Sequence, residues 1–416
     1  MFSRIQIAHY KCIKRTDISP SPFNILIGPN ASGKSTFLDS LTFLQDALQT
    51  DVEKAVRRRA KALHELVWGG ESKKGFEIAV EVQVPEALRR NGYDGVRYEV
   101  GIGLNAEGAL AIVGENLWLV DSKVRKKPAL SAPSLFPTEP SEDSPILHSA
   151  RSKTPPGYRL VIRKVSESGK DYFRSEKTDW NFMLRFSPLR LALSGAPEDQ
   201  ERFPITLWFR QVLLHNLQFL QLNSVLMRQP CPPDAPRTFQ PDGSNLPMMI
   251  KALQTDQERF QWWISHLQTV LEDLATVEVV EQPENRQFYL RLTYRNGLSV
   301  PAWLLSDGTL RLLALSLIAY LPNQSQVFII EEPENGIHPK AIEAVFQALR
   351  SVYDGQVFLA THSPLILALA KPQDLLIFGK APSGASAIVS GADHPALRTW
   401  QQETSLDILF ASGVLG

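Results

Sequence analysis

The sequence predicts an α/β fold in which a mixed sheet carries flanking helices and an antiparallel layer lies beside it. Three observations carry that expectation. The apolar run "FNILIG", Phe23 to Gly28, leads through a glycine-rich loop into residues at helical spacing, Phe37, Leu38, Leu41, Leu44 and Leu48. From Ser306 onward, helix, buried strand, helix, strand and helix alternate, which is the habit of α/β proteins. Strand signals at Phe76 to Val84 and Tyr98 to Leu104 stand outside that alternation and read as the antiparallel layer.

Taken in order, "SRIQIAHY" alternates as a strand and precedes the strand, loop and helix already named. Residues 128 to 157 are rich in Pro and Ser and cannot hold a regular element, so they read as an exposed loop. A helical block near Ile205 to Met227 follows, closed by the breaker-rich "RQPCPPDAPRTFQPDGSNLP". A helical stretch with Trp262 and Trp263 then leads to strands around Val277 to Val280 and Phe288 to Tyr294. The expected organisation is an N-terminal lobe at 1–120, an inserted, mainly helical lid or arm subdomain at 121–290, a C-terminal lobe at 291–385 and a tail at 386–416. There is no internal repeat and no heptad run long enough for a coiled coil.

Composition bounds the function classes. Lys plus Arg and Asp plus Glu number 44 each, so no global positive field advertises nucleic acid or a membrane surface, and such a partner has to meet a local patch. The start "MFSRIQIAHYKC" lacks a signal pattern, and no apolar run reaches the roughly 18 residues a membrane span needs, which predicts a cytoplasmic protein without a membrane partner. Cys12 and Cys231 make neither a disulfide framework nor a metal spacing and read as thiols in or near the core. "KAVRRRAK", Lys54 to Lys61, and "KVRKK", Lys123 to Lys127, either track DNA phosphates or are solvated surface. No run of the sequence interleaves aromatic and basic residues as a single-strand platform would. The apolar tail "LDILFASGVLG" reads as packed on the rest of the protein.

The loop "GPNASGKST", Gly28 to Thr36, matches G-x-x-x-x-G-K-[ST] between a strand and a helix, the context a phosphate-binding loop requires. Gly28 and Gly33 let the backbone curl so that the N–H groups of Pro29-Asn30-Ala31-Ser32 and beyond, proline excepted, meet phosphate oxygens. Lys34 reaches the β and γ phosphates of ATP, and Ser35 offers a hydroxyl to Mg²⁺, with Thr36 beside it. Such an ion needs a carboxylate from a neighbouring strand, and "VFIIEEPE" supplies it: Glu331 is assigned to Mg²⁺ and Glu332 to the attacking water. Pro333 stops this strand, Pro339 opens a helix, and the next strand, "VFLATHSP", ends at His362, a candidate γ-phosphate sensor. "LSDGTLRLLALSLIAYLP", Leu305 to Pro322, reads as an apolar helix with Ser306 or Asp307 as its N-cap.

In order, "GPNASGKST", "LSDG", "VFIIEEPE" and "ATHSP" resemble the Walker A, signature, Walker B and switch-histidine motifs of ABC-type ATPases, most of all the RecF-like and OLD-like group related to chromosome-maintenance heads. The resemblance covers the two ends of the chain. It implies a P-loop ABC-type head that dimerises around ATP, with Ser306 and Gly308 acting on the nucleotide of the second copy and Asn335 to His338 at the seam. Two departures stand out: Glu331 replaces the usual aspartate, and "LSDGT" replaces "LSGGQ". Tyr10 falls either near the nucleotide, as in the family, or in the core. The 278 positions between Gly28 and Ser306 exceed what a transporter subunit has, and the 54 residues after His362 are too few for the nuclease domain of OLD proteins. The expected role is therefore a nucleotide-driven switch in DNA maintenance or anti-phage defence, with DNA or a separately encoded effector such as a nuclease as partner. The competing expectation is a nucleotide-binding scaffold with little turnover.

Overall fold

Two kinds of strand are visible in the burial of successive residues. In Phe23–Ile27 and Gln356–Ala360 every residue is buried, as expected of a parallel sheet covered on both faces. In Phe2–Tyr10 and Tyr158–Val165 buried and half-buried residues mix, as expected of an antiparallel sheet with one face nearer solvent. The structure, a computed structural model, describes residues 1–71, 75–89, 92–124, 136–139, 145–149, 153–165, 171–322, 326–398 and 405–415. Most of the Pro/Ser-rich stretch and the last three residues of "KVRKK" lie outside the described residues.

In chain order the strands are β1 (Phe2–Tyr10), β2 (Ile13–Ile18), β3 (Phe23–Ile27), β4 (Phe76–Gln83), β5 (Gly95–Leu104), β6 (Leu110–Val120), β7 (Tyr158–Val165), β8 (Asp171–Arg174), β9 (Asn181–Leu184), β10 (Leu217–Leu220), β11 (Leu274–Glu281), β12 (Phe288–Tyr294), β13 (Ser299–Pro301), β14 (Val327–Glu331), β15 (Gln356–Ala360), β16 (Leu375–Lys380) and β17 (Ser386–Ser390). The helices are α1 (Lys34–Gln49), α2 (Val52–Arg57), α3 (Pro204–Gln211), α4 (Ser224–Met227), α5 (Leu246–Leu253), α6 (Gln257–Gln268), α7 (Asp307–Leu317), α8 (Pro339–Arg350), α9 (Pro364–Leu369), α10 (Pro395–Arg398) and α11 (Leu406–Ala411).

Three sheets result: an antiparallel one in the order β2-β1-β4-β5-β6-β7-β8-β9, a mixed one in the order β10-β14-β15-β3-β16-β17, and the small β11-β12-β13. The mixed sheet is parallel from β10 to β16, and only the edge strand β17 runs against it. Alternate residues of its strands serve two cores. Leu26, Ile329 and Phe358 pack with Phe37 and Leu41 of α1 and with the antiparallel sheet, whereas Ile25, Ile27, Ile330 and Leu359 pack with α6, α7 and α8. The sheets are tied by the buried side chain of Gln356, which accepts from the N–H of Phe2 and donates to the carbonyls of Phe2 and Ser21. The tail helix α11 lies against α9 with Leu406 and Leu415 buried while Ile408 and Val414 stay exposed, so the apolar chain end is packed in part.

The α/β class with a mixed sheet and an antiparallel layer is as expected. The segment 121–290 differs from a mainly helical insert. Its β7, β8 and β9 extend the antiparallel sheet, β10 joins the edge of the mixed sheet beside β14, and β11 and β12 form a hairpin. The block Ile205 to Met227 is α3, a π-helical turn at Val212–Asn216, β10 and α4. A run as short as "LQFL", three apolar residues and Gln218, fits either period, and the open edge of β14 decides for a strand. The sheets run across each expected boundary: β6 pairs with β7 across 120, β12 spans 290, and β16 pairs with β17 across 385.

Candidate active site

Because β14, β15 and β3 are parallel neighbours, the turns after all three emerge at one edge of the sheet, where open α/β sheets hold their ligands. The phosphate-loop residues, the paired glutamates and the histidine therefore meet. They line a cavity of about 580 Å³, together with Cys12, Asn335 and Ala360. That volume suits a small-molecule ligand.

The loop is shaped by backbone constraints. Gly28 has φ +146°, and a Cβ there would fall 2.2 Å from the carbonyl oxygen of Phe378, so only glycine passes. Pro29 and Asn30 are exposed, Ala31 has φ 57°, and Gly33, φ 108°, opens α1. No side chain caps α1 and none of its first-turn residues is acidic, which leaves its first N–H groups for an anion. The hydroxyl of Ser32 is buried with no hydrogen-bond partner among the described residues. Lys34 donates to the carbonyls of Gly28 at 2.7 Å and Pro29 at 3.0 Å. Burial lowers the pKa of its ammonium, against the opposing pull of Glu332 and Glu331. Thr36 accepts the thiol hydrogen of Cys12 at 3.3 Å.

The carboxylates have distinct settings. Ser35 donates its hydroxyl to Glu331 at 2.5 Å, so a hydroxyl and a carboxylate oxygen already share one point of the cavity. Two hard oxygen donors fit Mg²⁺, which takes few protein ligands and completes its shell from phosphate and water. Among the described residues no group of three or more His, Cys, Asp or Glu could hold a metal alone. Glu332 sits in the left-handed region at φ 47°, a conformation that costs a non-glycine residue about 1–3 kcal/mol. Its N–H is held by the carbonyl of Ala360 at 2.7 Å, and its carboxylate accepts from the Asn335 amide at 2.5 Å. His362 reaches the cavity from beyond β15, and its backbone N–H donates to Glu334 at 3.3 Å.

Ser306 and Gly308 lie outside this cavity. Ser306 caps α7 by accepting from the N–H of Thr309 at 3.1 Å, and its hydroxyl also bonds the Thr309 hydroxyl at 2.8 Å. Gly308 packs on the turn after β14: a Cβ would stand 2.5 Å from the Gly336 carbonyl oxygen. Within one copy, then, these residues join the helix to the seam candidates Asn335 to His338, of which His338 caps α8. Tyr10 is fully buried against Phe43 and Phe76 and donates to Asp39, which settles it as a core tyrosine. The "KAVRRRAK" run is largely engaged: Arg59 binds Asp39 and Asp46, Arg58 binds Asp46, and Arg57 pairs with Glu53.

Two residues carry site positions that the sequence does not reveal. Glu334 accepts from the Thr361 hydroxyl at 2.6 Å as well as from His362, and its other carboxylate oxygen is buried with no partner among the described residues. In the sequence it shows only as a third carboxylate near the strand end. Gln221, just past β10, lines a second cavity of about 270 Å³ with Glu331, Glu332 and Asn335. Its position follows from β10 pairing with β14, a strand hidden inside an apparent helix.

An SMC head bound to the C-winged helix domain of ScpA superposes with a TM-score of 0.52 at 13% identity, covering 93% of this chain and 97% of that one. An SMC head domain from Thermotoga maritima gives 0.44 at 11% identity over 94% and 98%, and one from Pyrococcus furiosus, with an extended coiled coil and bound to the C-terminal domain of ScpA, gives 0.49 at 11% over 99% and 98%. No curated protein sequence matches. Among the described residues, no helix is long and apolar enough to cross a membrane. With residues 23–368 matched, the chain belongs to the family described as "AAA domain, putative AbiEii toxin, Type IV TA system", on a P-loop ATPase fold shared with SMC heads.

Proposed function

We propose that this protein binds and hydrolyses ATP with Mg²⁺ and closes head to head with a second copy as it does so. The observation that carries the reading is the convergence, in one cavity, of an uncapped helix start, Lys34, the Ser35–Glu331 contact and Glu332. Lys34 exchanges its loop carbonyls for phosphate oxygens. Ser35 and Glu331 would hold a Mg²⁺ ion, which would supply charge neutralisation to the phosphates. Glu332 orients the attacking water or takes its proton, His362 reads the γ-phosphate from a position set by Glu334, and Gln221 stands beside the carboxylates as the glutamine that ABC-type sites use. Ser306 and Gly308, with no nucleotide cavity of their own, act on the nucleotide of the second copy. Within that reading the protein is a cytoplasmic switch of the RecF-like or OLD-like group, serving DNA maintenance or anti-phage defence through DNA or a separate effector.

Phosphate release and light scattering with ATP and ADP test this together, on wild type, Glu332→Gln and Lys34→Ala. Wild type should turn over, Glu332→Gln should lose roughly 10²–10⁴-fold in turnover while trapping an ATP-dependent dimer, and Lys34→Ala should do neither. A wild type that keeps its ATP intact for hours overturns hydrolysis and leaves a nucleotide-binding scaffold. A molecule whose size no nucleotide changes overturns the head-to-head closure.

A further inference from the structure

A third cavity, of about 410 Å³, lies on the antiparallel sheet, away from the strand ends that hold the phosphate loop. Its walls include three tyrosines and three arginines: Tyr93, Tyr158, Tyr172, Arg159, Arg163 and Arg174. Among the described residues, none that lines it is acidic. All six side chains are half-buried, so each offers surface while being held from behind.

The sheet geometry assembles them. Arg163 of β7 stands directly opposite Tyr172 of β8, and Arg174 follows two residues on, which puts it on the same face as Tyr172. Between β6 and β7 the register skips Val161, pairing Leu117 with Ile162 and Trp118 with Leu160. This bulge returns Leu160 and Tyr158 to the face that carries Arg163. The arginines are oriented in advance. Arg163 lies over the Trp118 ring at 5.3 Å and donates to Asn116 at 3.1 Å, while Arg159 donates to the carbonyls of Ser175 and Thr178. The Nε–H of Arg159 is buried with no partner among the described residues. Asp179 pairs with Arg174 and Arg159 from a position 85% exposed and can swing away at little cost.

We propose that this cavity binds a nucleotide unit of single-stranded nucleic acid, with a base stacked among the tyrosines and its flanking phosphates on Arg159 and Arg174. Fixed arginines with aromatic planes are what sequence-tolerant single-strand sites use, because every base has a π-face and every link a charge. The concave volume suits one base rather than a duplex groove. The site is independent of the ATPase reading and shares no residue with the nucleotide cavity described above.

Fluorescence anisotropy of labelled oligothymidylate and oligouridylate tests it, with wild type, Tyr172→Ala, Arg174→Ala and Lys34→Ala, each checked for an unchanged melting temperature. Wild type and Lys34→Ala should bind alike. Tyr172→Ala should weaken binding about tenfold, and Arg174→Ala should lower the slope of log affinity against log salt by about 0.7. Absence of binding by wild type overturns the proposal, as does binding that survives both cavity substitutions. Loss of binding in Lys34→Ala places the strand in the phosphate loop instead. Competition by free AMP at the same concentration of nucleotide units reassigns the cavity to mononucleotides, and equal competition by polyglutamate reassigns it to acidic protein.

Discussion

Two polar clusters of this molecule, one on each large sheet, both centre on glutamates and differ in completeness. On the antiparallel sheet the fully buried Glu99 accepts from Arg97 at 2.6 Å, Asn116 at 2.9 Å, Trp118 at 3.2 Å and the His148 N–H at 3.0 Å. Arg97 also binds Glu81 at 2.9 Å. Each carboxylate oxygen of Glu99 has a donor, so the cluster has no capacity left for a ligand. At the end of the parallel sheet, Ser32 has a buried oxygen with no partner among the described residues, Glu334 has another, Lys34 rests on backbone carbonyls and Glu332 keeps a strained backbone. A buried polar group costs stability unless it is paired. The first cluster is complete and holds the fold; the second is incomplete among the described residues, and on the proposed reading its spare groups meet the nucleotide.

Breaking the satisfied cluster should have the largest effect on stability. Glu99→Ala leaves the Arg97 guanidinium buried with only Glu81, and should lower unfolding free energy by about 3–5 kcal/mol in denaturant melts. The per-molecule ATP affinity of the folded fraction should stay as it was, and a change there would dissolve the contrast between the clusters. The same residue predicts a pH dependence. Burial pushes the Glu99 carboxyl up, but the His148 hydrogen bond and the Arg97 charge outweigh it and hold the group down at about 2, against an ordinary 4.5. Its folded pKa is depressed, so its contribution is complete above about pH 4.5 and is lost as pH falls toward 2. The melting temperature of wild type should fall through that window, and a Glu99→Gln protein should show a shallower fall.

Glu334→Gln sharpens the other side. The substitution removes a buried charge and leaves an oxygen to accept from Thr361, so the melting temperature should move by no more than a few degrees, in either direction. Turnover should drop roughly tenfold, because the charge beneath the His362 backbone is gone. If stability collapses and turnover per folded molecule holds, Glu334 belongs with Glu99 as a structural group. The smallest effect is expected at Arg58→Ala. Arg58 is 52% exposed and shares Asp46 with the buried Arg59, so its loss should cost about 0.2–1 kcal/mol and leave turnover unchanged.

Local chemistry makes much of the nucleotide end legible in the linear sequence. Gly28 to Thr36, Glu331, Glu332 and His362 can be read there because the loop sits between a strand and a helix, and because carboxylates at the end of an apolar strand need a cation. The two cores follow from fully apolar strands, and Ser306 from N-cap chemistry that depends on its own helix alone. What the linear pattern hides depends on a partner strand. β10 is a strand, and Gln221 a neighbour of the glutamates, only because β14 presents an open edge. Arg163 faces Tyr172 only through the register of β7 on β8, and the bulge at Val161 decides which neighbours join them. Glu334 meets Thr361 and His362 only because β14 and β15 pair in parallel. Periodicity and capping act within a few residues, so the sequence alone determines them; pairing, register and the completeness of a buried polar cluster are set by what lies across the fold, which the tertiary structure alone decides.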